Sequence, residues 1–326
     1  MREPWFWRSG SLAARSCAAA LSPLSFLYDA GQRTRWALTK PATADVPVIC
    51  IGNATLGGVG KTPFAMLTQR ILKDAGVKAW FLTRGYGGTL SGPVLVSPDH
   101  HDADDVGDEA LLLAKQGPAV ASRNRPKGAR MAAGGGAGAI VMDDGFQNPT
   151  LRKTLSILLI DDAGERSNGR VFPAGPFREP ADRARMRADM VVRICRRKED
   201  AAAPENADFA AWLEPEGGPP PQKVVAFTGI GVPSKFFLTL AKAGFEIAHK
   251  VPFPDHHRFT PHELKALERL AEKSGAALIA TEKDFVRLPT DMRARVLTLP
   301  VAMRVNDVEG FSARLLKAVD AGKDPR

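Results

Sequence analysis

Residues 47–63, PVICIGNATLGGVGKTP, restrict the possible folds more than any other stretch of the chain. An apolar, largely β-branched run begins at Val48 and is followed by a glycine-rich turn, after which Lys61 and Thr62 lead into a helical stretch that begins at Pro63. Glycines let successive backbone N–H groups turn towards an anion, and the first turn of a helix adds unpaired N–H groups and the positive end of its dipole. This order of strand, loop and helix predicts a phosphate-binding loop on an α/β sheet.

The loop departs at one place from the usual pattern, G-x-x-x-x-G-K-[ST], because Thr55 stands where the first glycine belongs. The dense tail GGVGKT still favours phosphate binding over a flexible turn with an incidental lysine. In such loops the lysine reaches the β- and γ-phosphates of a nucleotide and the hydroxyl residue holds Mg²⁺, so ATP and Mg²⁺ are the predicted cofactors. The residues expected around the phosphates are Thr55, Gly57, Gly58, Val59, Gly60, Lys61 and Thr62.

A second apolar run, residues 138–142 (GAIVM), leads directly into Asp143 and Asp144. A strand that ends in an acid downstream of a phosphate loop is typical of the site that completes Mg²⁺ binding in P-loop NTPases. Two adjacent acids can divide the work, with one on the metal and the other near an acceptor hydroxyl.

Three further loops carry candidate site residues. The segment Arg84 to Gly88 (RGYGG) follows a predicted strand, and ligands of open α/β sheets bind at that edge. Asp108 and Glu109 begin a helix, where they either complement the helix dipole or serve as a base or metal ligand near the phosphates. Arg178, in the long loop 169–180, either grips a phosphate or pairs with the acid that follows it.

Composition limits the remaining functions. The chain has 326 residues, enough for about two domains, and its 45 Lys and Arg against 36 Asp and Glu give a net charge of +9. The basic residues are dispersed and no nucleic-acid motif is present, so nucleic acid is the least favoured anionic partner. No obligate protein partner is predicted. Three cysteines without CxxC spacing argue against a disulfide framework and a zinc site, and fit a reducing cytoplasm.

The first 35 residues predict an amphipathic helix at a membrane interface. Their longest uncharged run, 16–28, is too short to span a bilayer and contains Pro23. A secretory signal is disfavoured because a secreted protein would have no ATP, and a helix packed on the protein's own core is the alternative. The expected apolar side consists of Trp5, Phe6, Trp7, Leu12, Leu21, Leu24, Phe26 and Leu27. The arginines expected to face lipid phosphates are Arg2, Arg8, Arg15, Arg33 and Arg35.

These features predict an α/β fold of the P-loop NTPase type, with a mostly parallel sheet flanked by helices, a smaller second α/β domain and the N-terminal interface helix. The phosphate-loop core is predicted over 36–200. Proline and glycine then become frequent, which predicts an interdomain linker over 201–222. The smaller C-terminal domain is predicted over 223–326, closing over the active site.

Two clusters in the C-terminal half need interpretation. Asp255, His256 and His257 look like metal ligands but lack further ligands at suitable spacing, so a catalytic or dyad role for one histidine is favoured over zinc. The segment 281–284 (TEKD) is similar to the guanine-reading [NT]-K-x-D, yet its lysine comes one place late, which argues against GTP.

Taken together, the chain resembles the tetraacyldisaccharide 4′-kinases, the lipid A 4′-kinases of Gram-negative bacteria. The resemblance rests on eight segments in order: GNATLGGVGKTP, TRGYGG, VGDEALLLA, MDDGFQN, FPAGPFREP, FTGIGVPSKF, PDHHRF and TEKDFVRL. It implies an enzyme at the cytoplasmic face of the inner membrane. This enzyme would move the γ-phosphoryl group of ATP to the 4′-hydroxyl of a tetraacylated glucosamine disaccharide 1-phosphate, a late step of lipid A biosynthesis.

The resemblance also implies roles for individual residues. Asp108 matches the proposed base and His256 its partner from the second domain. The other implied positions are Lys61 and Asp144 for catalysis, Thr62, Glu109 and Asp143 for Mg²⁺, and Tyr86, Gln147 and Arg178 for the substrate. The family also has Thr at position 55. Asn148 departs from the family, which more often carries His there, so a role for that side chain is in doubt.

Three rival functions remain open. A regulatory, membrane-associated ATPase carries K-G-G-x-G-K-T, but Leu56 occupies the place of its first lysine. A kinase of a soluble acceptor would use the N-terminal segment only as core. A non-catalytic membrane adaptor would leave the acids at 108, 109, 143 and 144 without purpose.

Overall fold

Two sheets organise the chain in the computed structural model, which describes residues 3–161, 164, 166–202 and 206–322. The strands are β1 (Val48–Asn53), β2 (Ala79–Thr83), β3 (Val94–Leu95), β4 (Ala119–Ala121), β5 (Ala139–Asp143), β6 (Leu155–Asp161), β7 (Met190–Cys195), β8 (Phe209–Pro215), β9 (Lys223–Thr228), β10 (Glu246–Pro252), β11 (Ala277–Ala280), β12 (Val296–Thr298) and β13 (Val301–Val305). The helices are α1 (Leu12–Leu38), α2 (Lys61–Asp74), α3 (Ala103–Val106), α4 (Asp108–Ala114), α5 (Arg125–Gly134), α6 (Ala181–Met186), α7 (Pro233–Lys242), α8 (Pro261–Ser274), α9 (Glu282–Phe285), α10 (Thr290–Arg293) and α11 (Val308–Gly322). Short 3₁₀ turns cover Trp5–Trp7 and Lys198–Ala201.

The large sheet has nine strands among the described residues, in the order β13-β8-β7-β6-β1-β5-β2-β4-β3. The edge strands β3 and β13 run antiparallel to their neighbours, and the other pairings are parallel. All six residues of β1 are buried, as expected for a central strand covered on both faces. The predicted α/β fold with a mostly parallel sheet is confirmed.

Helices cover both faces of this sheet. Ile49 and Ile51 of β1 pack into the cluster that contains α2, α4 and α11, whereas Val48 and Cys50 pack into the cluster on the other face, which contains α5. This alternation follows from the two-residue period of a strand. The carboxyl ends of β1, β2 and β5 therefore lie along one edge of the sheet, and the loops that follow them meet there.

The small sheet has the order β10-β9-β11-β12, and its strand pairs are parallel. Helix α8 packs on one face through Leu264 and Leu267, and α7 packs on the other through Phe236 and Leu240. This second, smaller α/β unit was predicted, and residues 223–298 form its strands and helices.

The predicted domain boundaries differ from the sheet membership at two places. Strand β8 (Phe209–Pro215) lies inside the predicted linker 201–222, yet it pairs with β7 and extends the large sheet. Strand β13 lies inside the predicted C-terminal domain, yet it pairs with β8, and α11 packs on the large sheet through Phe311. After the small sheet the chain returns to the large sheet, where β13 covers the edge that β8 would otherwise expose.

Helix α1 extends three residues beyond the predicted segment 1–35 and contains Pro23. Ala14, Ala18, Ser25 and Asp29 are its buried residues, and the exposed large apolar side chains at the N-terminus are Trp5, Leu12, Leu24, Phe26, Leu27 and Leu38. Trp7 departs from the predicted apolar side, because it is buried and its indole N–H donates to the Pro173 carbonyl at 3.1 Å. Arg2 lies outside the described residues. None of the described helices combines the length and apolarity needed to cross a membrane.

Candidate active site

The phosphate-loop residues lie between β1 and α2, at the carboxyl edge of the large sheet. Gly60, the residue before α2, has a φ of 103°, a conformation that side-chain-bearing residues rarely adopt. Thr55, in place of the usual first glycine, pairs with Phe177 in an isolated bridge, and its hydroxyl accepts from Asn53 Nδ2 at 3.0 Å. The loop is therefore held by the end of β1 on one side and by the long loop 169–180 on the other.

Asp143 closes the space beside this loop. It ends β5 directly opposite Ile51 of β1, and its Oδ2 accepts from the Thr62 hydroxyl at 2.9 Å. Its other oxygen, Oδ1, is buried and has no hydrogen-bond partner among the described residues. Burial raises the pKa of Asp143 to about 7, and the negative charges of Glu109 and Asp144 add to this effect. Glu109 therefore lies close enough to act electrostatically on Asp143.

This set of oxygens fits Mg²⁺. A carboxylate oxygen without a partner, a hydroxyl and a second carboxylate are hard ligands of the kind that Mg²⁺ prefers, and Mg²⁺ commonly takes only one or two carboxylates besides phosphates and water. Among the described residues no group of three or more His, Cys, Asp or Glu side chains is arranged to hold a metal ion. Thr62, Asp143 and Glu109 could hold Mg²⁺ together with phosphate oxygens.

Asp144, the second acid, contacts cations. Arg178 Nη1 donates to its Oδ1 at 3.0 Å, and Lys61 Nζ lies 3.7 Å from the same oxygen. Lys61 also donates to Asn53 Oδ1 at 3.2 Å. Burial alone would raise the pKa of Asp144, but the charges of Lys61 and Arg178 outweigh it and lower the pKa. The φ of Asp144 is 49°, a strained conformation of the kind that clusters at functional sites.

A second cluster joins the two sheets. His256 Nδ1, from the loop after β10, lies 3.1 Å from Asp108 Oδ2 at the start of α4. Asp108 is nearly buried, and its Oδ1 accepts from the Glu109 backbone N–H at 2.9 Å. Burial alone would raise the pKa of Asp108, but the hydrogen bond with His256 and the charges of Lys283 and Arg287 hold it well below its usual range. Asp108 is therefore ionised across the neutral range.

The loop after β2 packs against this cluster. A Cβ on Gly107 would lie 2.3 Å from the Tyr86 carbonyl oxygen, so only glycine permits the RGYGG loop to approach the start of α4 so closely. The Tyr86 ring lies edge-on to the His256 ring with centroids 5.4 Å apart, and it is 62% exposed. Tyr86 therefore offers an open aromatic surface beside the Asp108–His256 pair.

A cavity of about 210 Å³ lies between the C-terminal part of α1 and the large-sheet unit. Half of its lining residues are arginines, and the full set is Gln32, Arg33, Trp36, Gln147, Arg178, Glu179, Arg183 and Arg187. Gln147 Nε2 donates to the Asn53 carbonyl at 2.8 Å, and Gln147 Oε1 accepts from Arg178 at 3.3 Å. The cavity therefore borders on the same arginine that contacts Asp144.

The structure brings the predicted site residues into two adjoining groups. One group contains the phosphate loop, Thr62, Asp143, Asp144, Lys61, Arg178 and Gln147, and the other contains Asp108, Glu109, His256 and Tyr86. The interpretation that Arg178 merely pairs with Glu179 finds no support, because Glu179 contacts Arg187 and Gln147. Asn148, the departure from the family, caps a local turn by accepting from Thr150.

Sequence reasoning missed two cations of this site, Lys283 and Arg287. Lys283 Nζ donates to Glu109 Oε1 at 3.1 Å, and Arg287 Nε donates to Asp108 Oδ2 at 2.9 Å. Lys283 belongs to the segment TEKDFVRL, which carries the family resemblance and contains a guanine-like pattern, but neither of these assigns a role to Lys283 or Arg287. Strand β11 ends at Ala280, shortly before Lys283, and the end of a buried strand is also the signal that points to Asp143.

Comparisons with known proteins identify similar sequences and a similar structure. The family model described as tetraacyldisaccharide-1-P 4′-kinase matches residues 17–320. The tetraacyldisaccharide 4′-kinase of Methylorubrum populi is 44% identical, with 98% of this chain and 99% of that protein covered. The tetraacyldisaccharide 4′-kinase of Paramagnetospirillum magneticum is 45% identical, with 93% and 94% covered. A crystal structure of LpxK from Aquifex aeolicus in complex with ATP is similar, with a TM-score of 0.76, 28% identity, and 93% of this chain and 99% of that chain covered.

Proposed function

The chain belongs to the tetraacyldisaccharide-1-phosphate 4′-kinase family, and from this premise we propose that it transfers the γ-phosphoryl group of ATP to the 4′-hydroxyl of a tetraacylated glucosamine disaccharide 1-phosphate. The product belongs to lipid A biosynthesis. ATP and Mg²⁺ are the cofactors, in agreement with the structural similarity to an ATP complex.

One observation carries the proposal: two clusters of residues adjoin each other, one suited to bind the phosphoryl donor and the other suited to deprotonate the acceptor. The phosphate loop with Thr62 and Asp143 suits a nucleotide and its metal, and the contact of Asp108 with His256 at 3.1 Å suits proton removal from an acceptor. Glu109 links the two groups, because it follows Asp108 and its charge acts on Asp143.

Different residues serve the metal and the phosphates of the nucleotide. Thr62, Asp143 and Glu109 would hold Mg²⁺, which neutralises phosphate charge when bound. Lys61 reaches the phosphates from the start of α2 and leaves its present partners, Asn53 and Asp144, to do so.

The acceptor oxygen loses its proton to the Asp108–His256 pair and forms the new P–O bond, while the bond from the γ-phosphorus to the β,γ-bridging oxygen breaks and ADP leaves. With its Nδ1 facing Asp108, the His256 ring has Nε2 on the other side, and this side chain is the more exposed of the two. Asp108 therefore orients the ring, and the pair as a unit accepts the proton.

The acceptor enters from the side of α1. The cavity beside Arg178 carries four arginines and two amide side chains, which suit the phosphate and hydroxyl groups of a sugar phosphate. The exposed apolar side chains of α1, including Leu24, Phe26 and Leu27, suit insertion among lipid chains, and the net charge of +9 suits an anionic surface. We place the protein at the cytoplasmic face of the inner membrane, where ATP and the lipid meet.

The test is a label-transfer assay with purified protein, Mg²⁺, γ-labelled ATP and a tetraacyl disaccharide 1-phosphate in detergent micelles. The proposal expects label on the lipid, and none when Asp108→Ala replaces the wild type. Release of free phosphate without labelled lipid would refute the lipid acceptor and favour the regulatory ATPase. Equal activity towards a soluble disaccharide after removal of residues 1–35 would favour the soluble-acceptor kinase.

A further inference from the structure

Two cations of the small-sheet unit contact the acids at the start of α4, in the large-sheet unit. Lys283 lies in α9, and Arg287 lies two residues beyond its end. Both belong to the segment TEKDFVRL, for which the proposed mechanism has no use. Their targets, Asp108 and Glu109, lie more than 170 positions earlier in the chain.

Arg287 is held in place by residues of its own small-sheet unit. Its Nη1 donates to Asp284 Oδ1 and to the Gly229 carbonyl, both at 3.1 Å, and its side chain is only 6% exposed. Asp284 is itself fully buried, and its carboxylate accepts from the Thr228 hydroxyl at 2.6 Å and from the Thr281 hydroxyl at 2.6 Å. These bonds leave the guanidinium little freedom to rotate. A chain of buried hydrogen bonds thus runs from β9 to the carboxylate of Asp108.

Arg287 and Lys283 reach both members of the proton-accepting pair. Arg287 Nε donates to Asp108 Oδ2 at 2.9 Å, Nη2 contacts the same oxygen, and Nη2 lies 3.3 Å from His256 Nδ1. Lys283 Nζ lies 3.1 Å from Glu109 Oε1 and 3.3 Å from His256 Nε2. The two side chains thus touch Asp108, His256 and Glu109, and no other acid of the large-sheet unit is recorded within ion-pair distance of either among the described residues.

Buried ion pairs of this kind are a costly way to hold two structural units together. Buried ion pairs contribute little net stability compared with apolar side chains of the same size, because the charges must be removed from water. A planar guanidinium held on two edges is instead well suited to fix the position of a carboxylate. The two cations are therefore better explained by the geometry of the site than by adhesion.

We propose that Arg287 and Lys283 are positioning residues, which seat the small-sheet unit on the start of α4 and thereby assemble the Asp108–His256 pair. Arg287 fixes the carboxylate of Asp108, and Lys283 fixes Glu109 and the far side of the His256 ring. The inference rests on the proposed function, since it concerns the pair that accepts the proton.

The kinetic test compares Arg287→Met, Arg287→Lys and Lys283→Met in the label-transfer assay with saturating lipid. Misplacing a reacting group by about 1 Å costs about 100-fold in rate, so Arg287→Met is expected to lower kcat by about that factor while the KM for ATP changes less than about threefold. Lys283→Met is expected to lower kcat by about tenfold. Arg287→Lys keeps the charge and is expected to recover part of kcat.

Arg295→Met is the matched control. Arg295 belongs to the same small-sheet unit and pairs with Glu268 at 2.9 Å, but this pair is exposed and lies within one unit. Arg295→Met is expected to keep the wild-type kcat. An unchanged kcat in both Arg287→Met and Lys283→Met, or a loss that appears only as a raised KM for ATP, would overturn the proposal.

A second measurement does not depend on activity. In the full-length protein, amide hydrogen exchange of residues 108–114 is expected to be faster in Arg287→Met and Arg287→Lys than in wild type, while exchange in β1 stays at the wild-type rate. Unchanged exchange in residues 108–114 of both variants would overturn the proposal even if kcat fell. Wild-type protein that transfers no label would refute the proposed function, whereas the exchange result would still test the contact itself.

Discussion

Replacing Asp143 by Asn should stabilise the metal-free protein at alkaline pH, although it should abolish catalysis. Asp143 is buried, one of its oxygens has no hydrogen-bond partner in the part of the chain that the structure describes, and burial raises its pKa to about 7. Asn has the same shape and keeps an oxygen that can accept from the Thr62 hydroxyl, but it carries no charge. The substitution therefore removes the cost of burying an anion and little else.

The pH dependence follows from proton linkage. Below pH 3.8, the ordinary pKa of Asp143, the side chain is protonated in both the folded and the unfolded chain. Between that value and about 7 the folded chain keeps the proton and the unfolded chain loses it, so the free energy of unfolding falls by about 1.4 kcal/mol per pH unit. From about pH 5 to about pH 8 the loss amounts to about 3 kcal/mol, and Asp143→Asn does not suffer it.

The assay is urea unfolding of wild type and Asp143→Asn in EDTA, at about pH 5 and about pH 8. The free energy of unfolding of Asp143→Asn minus that of wild type should be about 3 kcal/mol larger at the higher pH, which means that the variant gains stability relative to wild type. Mg²⁺ with a non-hydrolysable ATP analogue should then stabilise wild type more than the variant, because the cation binds the ionised carboxylate.

Asp144→Asn is the matched control. Lys61 and Arg178 overcome the effect of burial and lower the pKa of Asp144, so Asp144 itself does not titrate between the two test conditions. Removing its negative charge lowers the pKa of Asp143, so between these conditions Asp144→Asn should lose less stability than wild type but more than Asp143→Asn. If Asp143→Asn showed no pH-dependent gain over wild type, or lost stability at about pH 8, the account of Asp143 as a buried, costly anion would be wrong.

Three further predictions concern the phosphate loop and α1. Lys61→Met should lower kcat by about 100-fold or more at an unchanged unfolding midpoint, and normal turnover would remove the phosphate loop from the mechanism. Asp29→Asn removes the negative charge from the contact with Arg183 at 2.6 Å and should loosen α1 by about 1 kcal/mol, seen as faster proteolysis within α1; an unchanged rate would contradict this. Phe26→Glu with Leu27→Glu should weaken flotation with anionic vesicles while the protein stays folded, and full binding would exclude this face as the membrane contact.

The sequence predicted those parts of the site that depend on local order. The phosphate loop depends on one strand, one turn and one helix that follow each other in the chain. Asp143 was predicted because an apolar run that ends in an acid downstream of such a loop is typical of the Mg²⁺ site, and in the structure this strand, β5, pairs with β1. The closeness of Asp108 and His256, by contrast, was predicted only through the family resemblance, because their elements belong to different sheets.

The missed features share a non-local cause. The partners Arg287 and Asp108 are 179 positions apart, and no pattern around either residue indicates the other. Strand β8 was hidden by the proline and glycine residues around it, and its place in the large sheet depends on β13, which the chain reaches only after completing the small sheet. Trp7 was predicted to lie on the apolar, membrane-facing side of the N-terminal helix, whereas it is buried and donates a hydrogen bond to the Pro173 carbonyl.

The most direct test of the central claim is to locate the phosphate that the enzyme adds. Phosphorus–proton correlation NMR of the lipid product identifies the carbon that bears the new phosphate. The proposed function predicts coupling of the new phosphorus to the proton on carbon 4′, with the 1-phosphate unchanged. Coupling to the 6′ protons, or a diphosphate at position 1, would contradict it.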